Sequence, residues 1–275
     1  MIPVYLYQYT TMNSVLAILE NKTIRFARLD SLNDLNEGCC GEYAHLKKYV
    51  YVSSWSADER ESIPMWSLYG RKNGVPDEGV RIKVPTNLFT FDEYGELKEE
   101  LPLKRVCNQW NVVTDVNTKE IKLSDNVRNV KRYEKSVFAK RVIGPVKINY
   151  LPFWEYKVKY TPFPKLGDIQ ENSSFYPNRI GYEKVDDWSY ENEYRFVMRY
   201  PNVQEISGSL NNLKKDIEFT KDQYIDVIFN EKSIPEMEIT LAPNFNSDLI
   251  DSFKINLEKL GFTKDLQKSA LDVRI

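Results

Sequence analysis

Apolar positions along the chain recur with two different periods, and each switch between them marks an element. "VYLYQYT" (4–10) is β-branched and aromatic, which predicts a strand. "TMNSVLAILENK" (11–22) then sets Val15, Leu16, Ile18 and Leu19 at helical spacing, with Thr10 or Thr11 placed to cap the helix. "TIRFA" (23–27) predicts a second strand. "RLDSLNDLNEG" (28–38) predicts a loop, because Asp, Asn and Ser side chains bond nearby backbone. In "KKYVYVSSWS" (47–56), Tyr49, Tyr51, Ser53 and Trp55 share one face of a strand. "ESIPMWSLYGRK" (61–72) predicts a short helix with Pro64 in its first turn, Met65, Trp66, Leu68 and Tyr69 as apolar positions, and Asn73-Gly74 as its end. "GVRIKVP" (79–85) is the next strand.

Beyond that point the pattern predicts extended segments at "KRVCNQWNVV" (104–113) and "VKINY" (146–150), flanking a partly helical "EIKLSDNVRNVKRYEKSVFAKRV" (120–142). "FWEYKVKYT" (153–161) alternates as a strand with one wet face, and "IEFT" (217–220) and "YIDVIFN" (224–230) read as strands. "NSDLIDSFKINLEKLGF" (246–262) predicts a helix capped by Ser247, with Leu249, Ile250, Phe253 and Leu257 apolar and Gly261 at its stop. "SALDVRI" (269–275) is a last candidate strand. Strands outnumber helices without alternating regularly with them, and no linker divides the chain. The expectation is one α+β domain over 1–275, with several short helices on a mainly antiparallel, curved sheet.

Charge and composition narrow the function classes. Lys plus Arg number 38 against 40 acidic residues, so the formal charge of −2 lacks the field that drives binding to phosphate backbones, and nucleic acid is not indicated as a partner. The start "MIPVYLYQYT" has neither a basic segment nor an apolar run, and no long apolar stretch follows; the expectation is a cytoplasmic protein without membrane contact. Three cysteines, Cys39, Cys40 and Cys107, do not make a disulfide framework or a C-x-x-C site and are expected to be dispensable thiols. The one histidine, His45, is expected in solvent, and no metal ligand set is assigned. No glycine-rich phosphate loop is present.

The candidate chemistry lies in "WSYENEYRFVM" (188–198). As a strand it would put Glu191, Glu193 and Arg195 on one face. In water that face is an ion-paired surface of small energetic consequence, roughly 0 to 1 kcal/mol. In a cleft the same groups could stabilise an oxocarbenium-like centre and hold an anionic ligand group. Trp66 and Tyr69, three apart on a helix, are either core packing or a stacking platform for a planar ring. The loop oxygens of Asp30, Asn33, Asp34, Asn36 and Glu37 do not match calcium-loop spacing, and an Asx-type turn is expected there.

Taken in order, "LYQYTTMNSVLAILENKTIRFARLDSLNDLNE", "VSSWS", "MWSLYG", "DDWSYENEYRFVM" and "YIDVIFN" resemble the bacterial domain-of-unknown-function family 2971 over nearly the whole chain. The resemblance rests most on Asn33, Asp34 and Glu37, on Met65, Trp66 and Tyr69, and on Trp188, Glu191, Glu193 and Arg195. A weaker likeness to ADP-ribosyltransferases lies in the order of parts: a Tyr-x-Tyr-Thr strand, a helix, a short strand, an aromatic middle segment and a late glutamate. That likeness implies an ADP-ribosyltransferase-like fold in which Tyr7, Gln8, Tyr9 and Thr10 hold NAD or a nucleotide, Tyr69 stacks on nicotinamide, and Glu193 or Glu191 acts on the ribose. Asn33, Asp34 and Trp66 join the implied ligand set, with NAD as a substrate rather than a resident cofactor. Where the toxin-like pattern has histidine, this chain has Gln8, which can bond a ribose but cannot offset a pyrophosphate charge. The implied function is an NAD- or nucleotide-handling toxin or phage-defence effector. The alternatives are a non-catalytic sensor or adaptor with a degenerate cleft, and a metal-dependent nuclease using Asp30, Asp34 and the glutamates.

Overall fold

The computed structural model describes residues 2–37, 47, 48, 50–71, 78–89, 103–107, 110–114, 121–123, 142–152, 180–199 and 223–273, with the backbone course alone at 103–107, 110–114, 121–123, 142, 143 and 199. The first half builds β1 (Tyr5–Thr11), α1 (Met12–Asn21), β2 (Thr23–Arg28), β3 (Val50–Ser56), α2 (Ile63–Tyr69) and β4 (Gly79–Pro85). Short strands follow: β5 (Leu103–Cys107), β6 (Trp110–Thr114), β7 (Ile121–Leu123), β8 (Val142–Lys147), β9 (Asn149–Leu151) and β10 (Glu183–Val185). The chain continues through β11 (Glu193–Arg199), β12 (Tyr224–Ile228), β13 (Glu238–Leu241), α3 (Ile250–Lys259) and β14 (Gln267–Lys268). Among the described residues helix and strand are mixed, the main sheet is mostly antiparallel, and the helices are few and short.

The main sheet forks at β3. One edge of β3 pairs with β11 along its whole length, from Glu193 opposite Ser56 to Arg199 opposite Val50. The other edge is shared: β1 meets it only at Tyr7 opposite Ser56, and β2 only at Ala27 and Arg28 opposite Val52 and Tyr51. Between these contacts the strand ladder on that edge skips Ser53, Ser54 and Trp55. The Gln8 side-chain amide donates to the Ser54 carbonyl at 3.1 Å, answering a backbone acceptor where neither β1 nor β2 pairs. From β1 one arm continues to β4, β13 and β14, and from β2 the other runs to β12, β5, β6 and β7. β1 and β2 both lie antiparallel to β3, and α1 crosses from one to the other over the gap.

Period-two and helical patterning account for the core. Leu6, Ile24, Phe26, Tyr51, Trp55, Phe196 and Met198 face Val15 and Leu19 of α1 and Phe253 and Leu257 of α3 in one cluster. On the opposite face of the sheet, Val50, Val52 and Val197 pack with Leu151, Ile180 and Val185. Each such fully buried side chain contributes on the order of 2 kcal/mol. Thr11 caps α1, its side chain accepting from the Ser14 amide, and Lys22 closes it in the left-handed conformation at φ 55°. Ser62 caps α2, which carries Met65 and Trp66 inward and Leu68 outward, half exposed.

Several local expectations shift. α2 ends at Gly70, before Asn73-Gly74. Asn246, not Ser247, is the cap ahead of α3, accepting from the Asp248 amide and starting a single 3-10 turn. The final strand is Gln267–Lys268, while 269–273 are not a strand; there Ser269 and the Ala270 amide donate to Glu61. Residues 121–123, expected in a helical stretch, form β7, because they pair with β6. Residues 124–141, the predicted strands at 153–161 and 217–220, and Cys39, Cys40 and His45 lie outside the described residues, as does the Cys107 side chain. No helix among the described residues is long and apolar enough to cross a membrane.

Gly79 starts β4 against the end of α2. A Cβ there would collide with the Gly70 carbonyl oxygen and crowd Ala242 at 3.1 Å. Backbone cannot yield as a side chain can, so Gly79→Ala is expected to lower stability by about 1–3 kcal/mol in urea unfolding. A change within about 0.5 kcal/mol would contradict this packing.

Candidate functional site

Where β1 and β2 part, the fork opens into a cleft of about 710 Å³. That volume suits a small molecule. Tyr7 to Thr10 of β1 form one wall and Thr23, Arg25 and Ala27 of β2 the other, with the polar side of α1 across the gap. Ser53, Ser54 and Trp55, the residues the ladder skips, lie at the back, and Asn33, Asp34, Tyr69 and Trp188 reach in from the loops and α2.

The floor is a buried charge network. Glu37, Glu191, Glu193, Lys184 and Arg195 all line the cleft yet are almost inaccessible, Arg195 and Glu37 completely so. The Arg195 guanidinium uses all five of its N–H donors: Nε and one terminal nitrogen bind both oxygens of Glu193, the two terminal nitrogens bind both oxygens of Glu37, and one also reaches the Gly181 carbonyl at 3.0 Å. Lys184 bridges Glu191 and Glu193, the latter at 3.1 Å, with its ammonium 4.9 Å from the centre of the Trp188 ring. Tyr69 donates to Glu191 at 2.6 Å. The Glu193 amide donates to the Tyr150 hydroxyl at 2.9 Å.

This arrangement splits the two central carboxylates. Burial alone would raise the Glu193 pKa, but Arg195 and Lys184, helped by a Ser54 hydrogen bond, overcome it and hold the group at about 2, against an ordinary 4.5. Glu191 moves the other way: burial, and then the like charge of Glu193, outweigh Lys184 and Tyr69 and raise it. Burial followed by the nearby Glu191 charge also pushes the Tyr69 phenol up, so it remains a donor. Burial would lower Lys184, yet Glu193, Glu37 and Glu191 more than offset that and keep it protonated.

Tyr7, Gln8, Tyr9, Thr10, Asn33, Asp34, Tyr69, Glu191, Glu193 and Arg195 therefore gather on one cleft. Trp66 does not. It is buried between Tyr9, in an edge-on contact at 4.8 Å, and Glu61, which accepts from its indole nitrogen. The Tyr9 hydroxyl is likewise occupied, accepting from the Ser62 amide. The solvated-face reading of "WSYENEYRFVM" is overturned by burial, and its strand begins only at Glu193. Residues Asp186–Glu191 form 3-10 turns, and Asn192 sits in the left-handed region, so Glu191 reaches the floor from a turn. Asp30 pairs with Arg28 rather than with the glutamates, and among the described residues no side-chain group is arranged to hold a metal. Lys184, Tyr150 and Ser54 were not anticipated. A lone lysine in a three-residue strand carries no pattern, whereas Glu37 did stand in the quoted "LNDLNE".

Comparison with models of protein families, with curated proteins and with solved structures yields no match.

The opposite shifts of the two glutamates make a stability test. Glu193, with its pKa lowered, contributes stability present above about 4.5 and lost as pH falls toward about 2. Glu191, with its pKa raised, contributes in the reverse sense, and what it adds is lost as pH rises through its folded value. At pH 7, Glu193→Gln is expected to cost a few kcal/mol in urea unfolding and Glu191→Gln less than about 1 kcal/mol, with the Glu193→Gln deficit shrinking in acid. Equal losses for the two variants at pH 7 would contradict the assignment.

Proposed function

We propose that the chain is a member of family 2971 with an ADP-ribosyltransferase-like cleft that binds an NAD- or nucleotide-class molecule and breaks its N-glycosidic bond. The observation that carries the reading is the formal carboxylate excess beneath the cleft: three glutamates against one lysine and one arginine, held out of water, with Glu193 kept ionised by its cations while burial raises Glu37 and Glu191. As a glycosidic bond breaks, positive charge develops on the ribose, and fixed negative charge in a poorly solvated site stabilises it. The cationic nicotinamide ring would meet the same field.

Within this reading Glu191 addresses the ligand and Glu193 is framework. Glu193 receives two bonds from Arg195 and one from Lys184, which fills most of the roughly four acceptor sites of a carboxylate. Glu191 accepts only from Tyr69 and Lys184, one on each oxygen, and so keeps capacity for ribose hydroxyls. Gln8, held to Ser54, stands where a cationic grip on phosphate would otherwise be. The protein would then be a cytoplasmic bacterial effector of toxin or phage-defence type.

A second reading, a non-catalytic sensor or adaptor, is favoured by the saturation of Arg195 and Glu193, which is what a purely structural floor also requires. Incubation with NAD and chromatographic detection of released nicotinamide separates the two. Turnover that falls at least about 10²-fold in Glu191→Gln, with an unchanged melting temperature, is the expected result. Binding of NAD by calorimetry without any turnover would leave the sensor reading standing.

A further inference from the structure

The charged side chains around the cleft are unevenly committed. Among the described residues five carboxylates line it, Asp34, Glu37, Glu191, Glu193 and Asp226, against three cations, Arg25, Lys184 and Arg195. Every one of those cations is engaged. Arg25 forms a two-pronged pair with Asp226, at 2.9 and 3.1 Å, and lies 3.7 Å over the Tyr224 ring. Lys184 and Arg195 are held by the glutamates of the floor.

Asp34 is the exception among the acids. It is nine-tenths buried and lines the cleft. One oxygen accepts from the Asn36 amide at 3.0 Å, forming the Asx turn of the loop. The other, Oδ2, is buried and has no hydrogen-bond partner. A buried carboxylate oxygen without a donor costs on the order of 1–3 kcal/mol or more, so such a group needs an occupant or a function. Its chain neighbour Asn33 lines the same cleft as Tyr69, which bonds Glu191, so the vacant acceptor belongs to the same constellation as the open carboxylate.

Resting on the reading of this cleft as a small-molecule site, we infer that it selects ligands by a cationic, donor-bearing head group whose charge is met by Asp34, and that it discriminates against ligands presenting only phosphate. A phosphate entering the cleft would find each cation among the described lining residues already paired and an excess of carboxylates around it. A pyridinium or ammonium group would find the reverse.

Calorimetry at low ionic strength on the intact protein tests this with an uncleavable carbocyclic NAD⁺ analogue, its reduced form, ADP-ribose, and agmatine as a cation without a nucleotide. The oxidised and reduced analogues differ in the positive charge of one ring. The oxidised form is expected to bind at least about tenfold more tightly than the reduced form and than ADP-ribose, with the preference falling to within about threefold in Asp34→Asn. Asparagine keeps the Oδ1 acceptor for the Asn36 amide, and the comparison on the native protein stands without the variant. Equal or tighter binding of the reduced form or ADP-ribose overturns the inference while leaving a nucleotide cleft. Binding of agmatine alone, weakened by Asp34→Asn, upholds the cation preference and removes the nucleotide function. No binding by any probe at about 1 mM, a level that corresponds to only about −4 kcal/mol, overturns both.

Discussion

The Arg195 guanidinium, with no accessible surface, is the contact on which the rest of the site depends. A charge buried this deeply is tolerable only when each donor is met, and each is, by Glu37, Glu193 and the Gly181 carbonyl. Those partners come from three parts of the chain: the loop after β2, the turn before β10, and β11 itself. One side chain thereby ties the Asn33–Glu37 loop, which presents Asp34 to the cleft, to the sheet that carries Glu193. Lys184 extends the tie to Glu191, and through Glu191 to Tyr69 on α2. The walls of the cleft owe their relative placement to this network as much as to apolar packing.

The fork in the sheet supplies the space. Had β1 or β2 alone paired with β3 over its full length, no gap would exist at Ser53–Trp55. Where the two arms separate, α1 lies over the gap with Val15 and Leu19 in the core and Asn13, Ser14 and Asn21 toward the cleft. Sheet topology and charge network therefore answer one another. The first opens a hole at the edge of β3, and the second lines its base with groups too costly to bury unless paired.

Legibility in the sequence followed locality. β1, α1, β2, β3, β4 and β12 were readable because each carries its own period, and the Asx turn at Asp34 because its donor is two residues away. The burial of Glu191, Glu193 and Arg195 was not readable, since a run of charged residues ordinarily faces water and Glu37 lies 158 residues from Arg195. The turn at Glu191 was missed because Asn192, left-handed at φ 41°, breaks a pattern that looks like continuous alternation. Lys184 was missed because its strand is three residues long and is placed by parallel pairing with β9, a relation no local pattern encodes. Trp66 kept the core role that its helical spacing also allowed, while Tyr69 on the same helix packs against that cluster and turns its hydroxyl to Glu191.

The central claim is that Glu37 and Arg195 act as one buried unit joining loop to sheet. A double-mutant cycle with Glu37→Leu and Arg195→Met, read by urea unfolding at pH 7, tests it most directly. Removing either charge alone strands its partner and is expected to cost about 3–5 kcal/mol. Removing both should cost less than the sum, with a coupling of about 2 kcal/mol or more and a double variant no less stable than Arg195→Met. Additivity within about 0.5 kcal/mol would show the two side chains acting independently and would contradict the account.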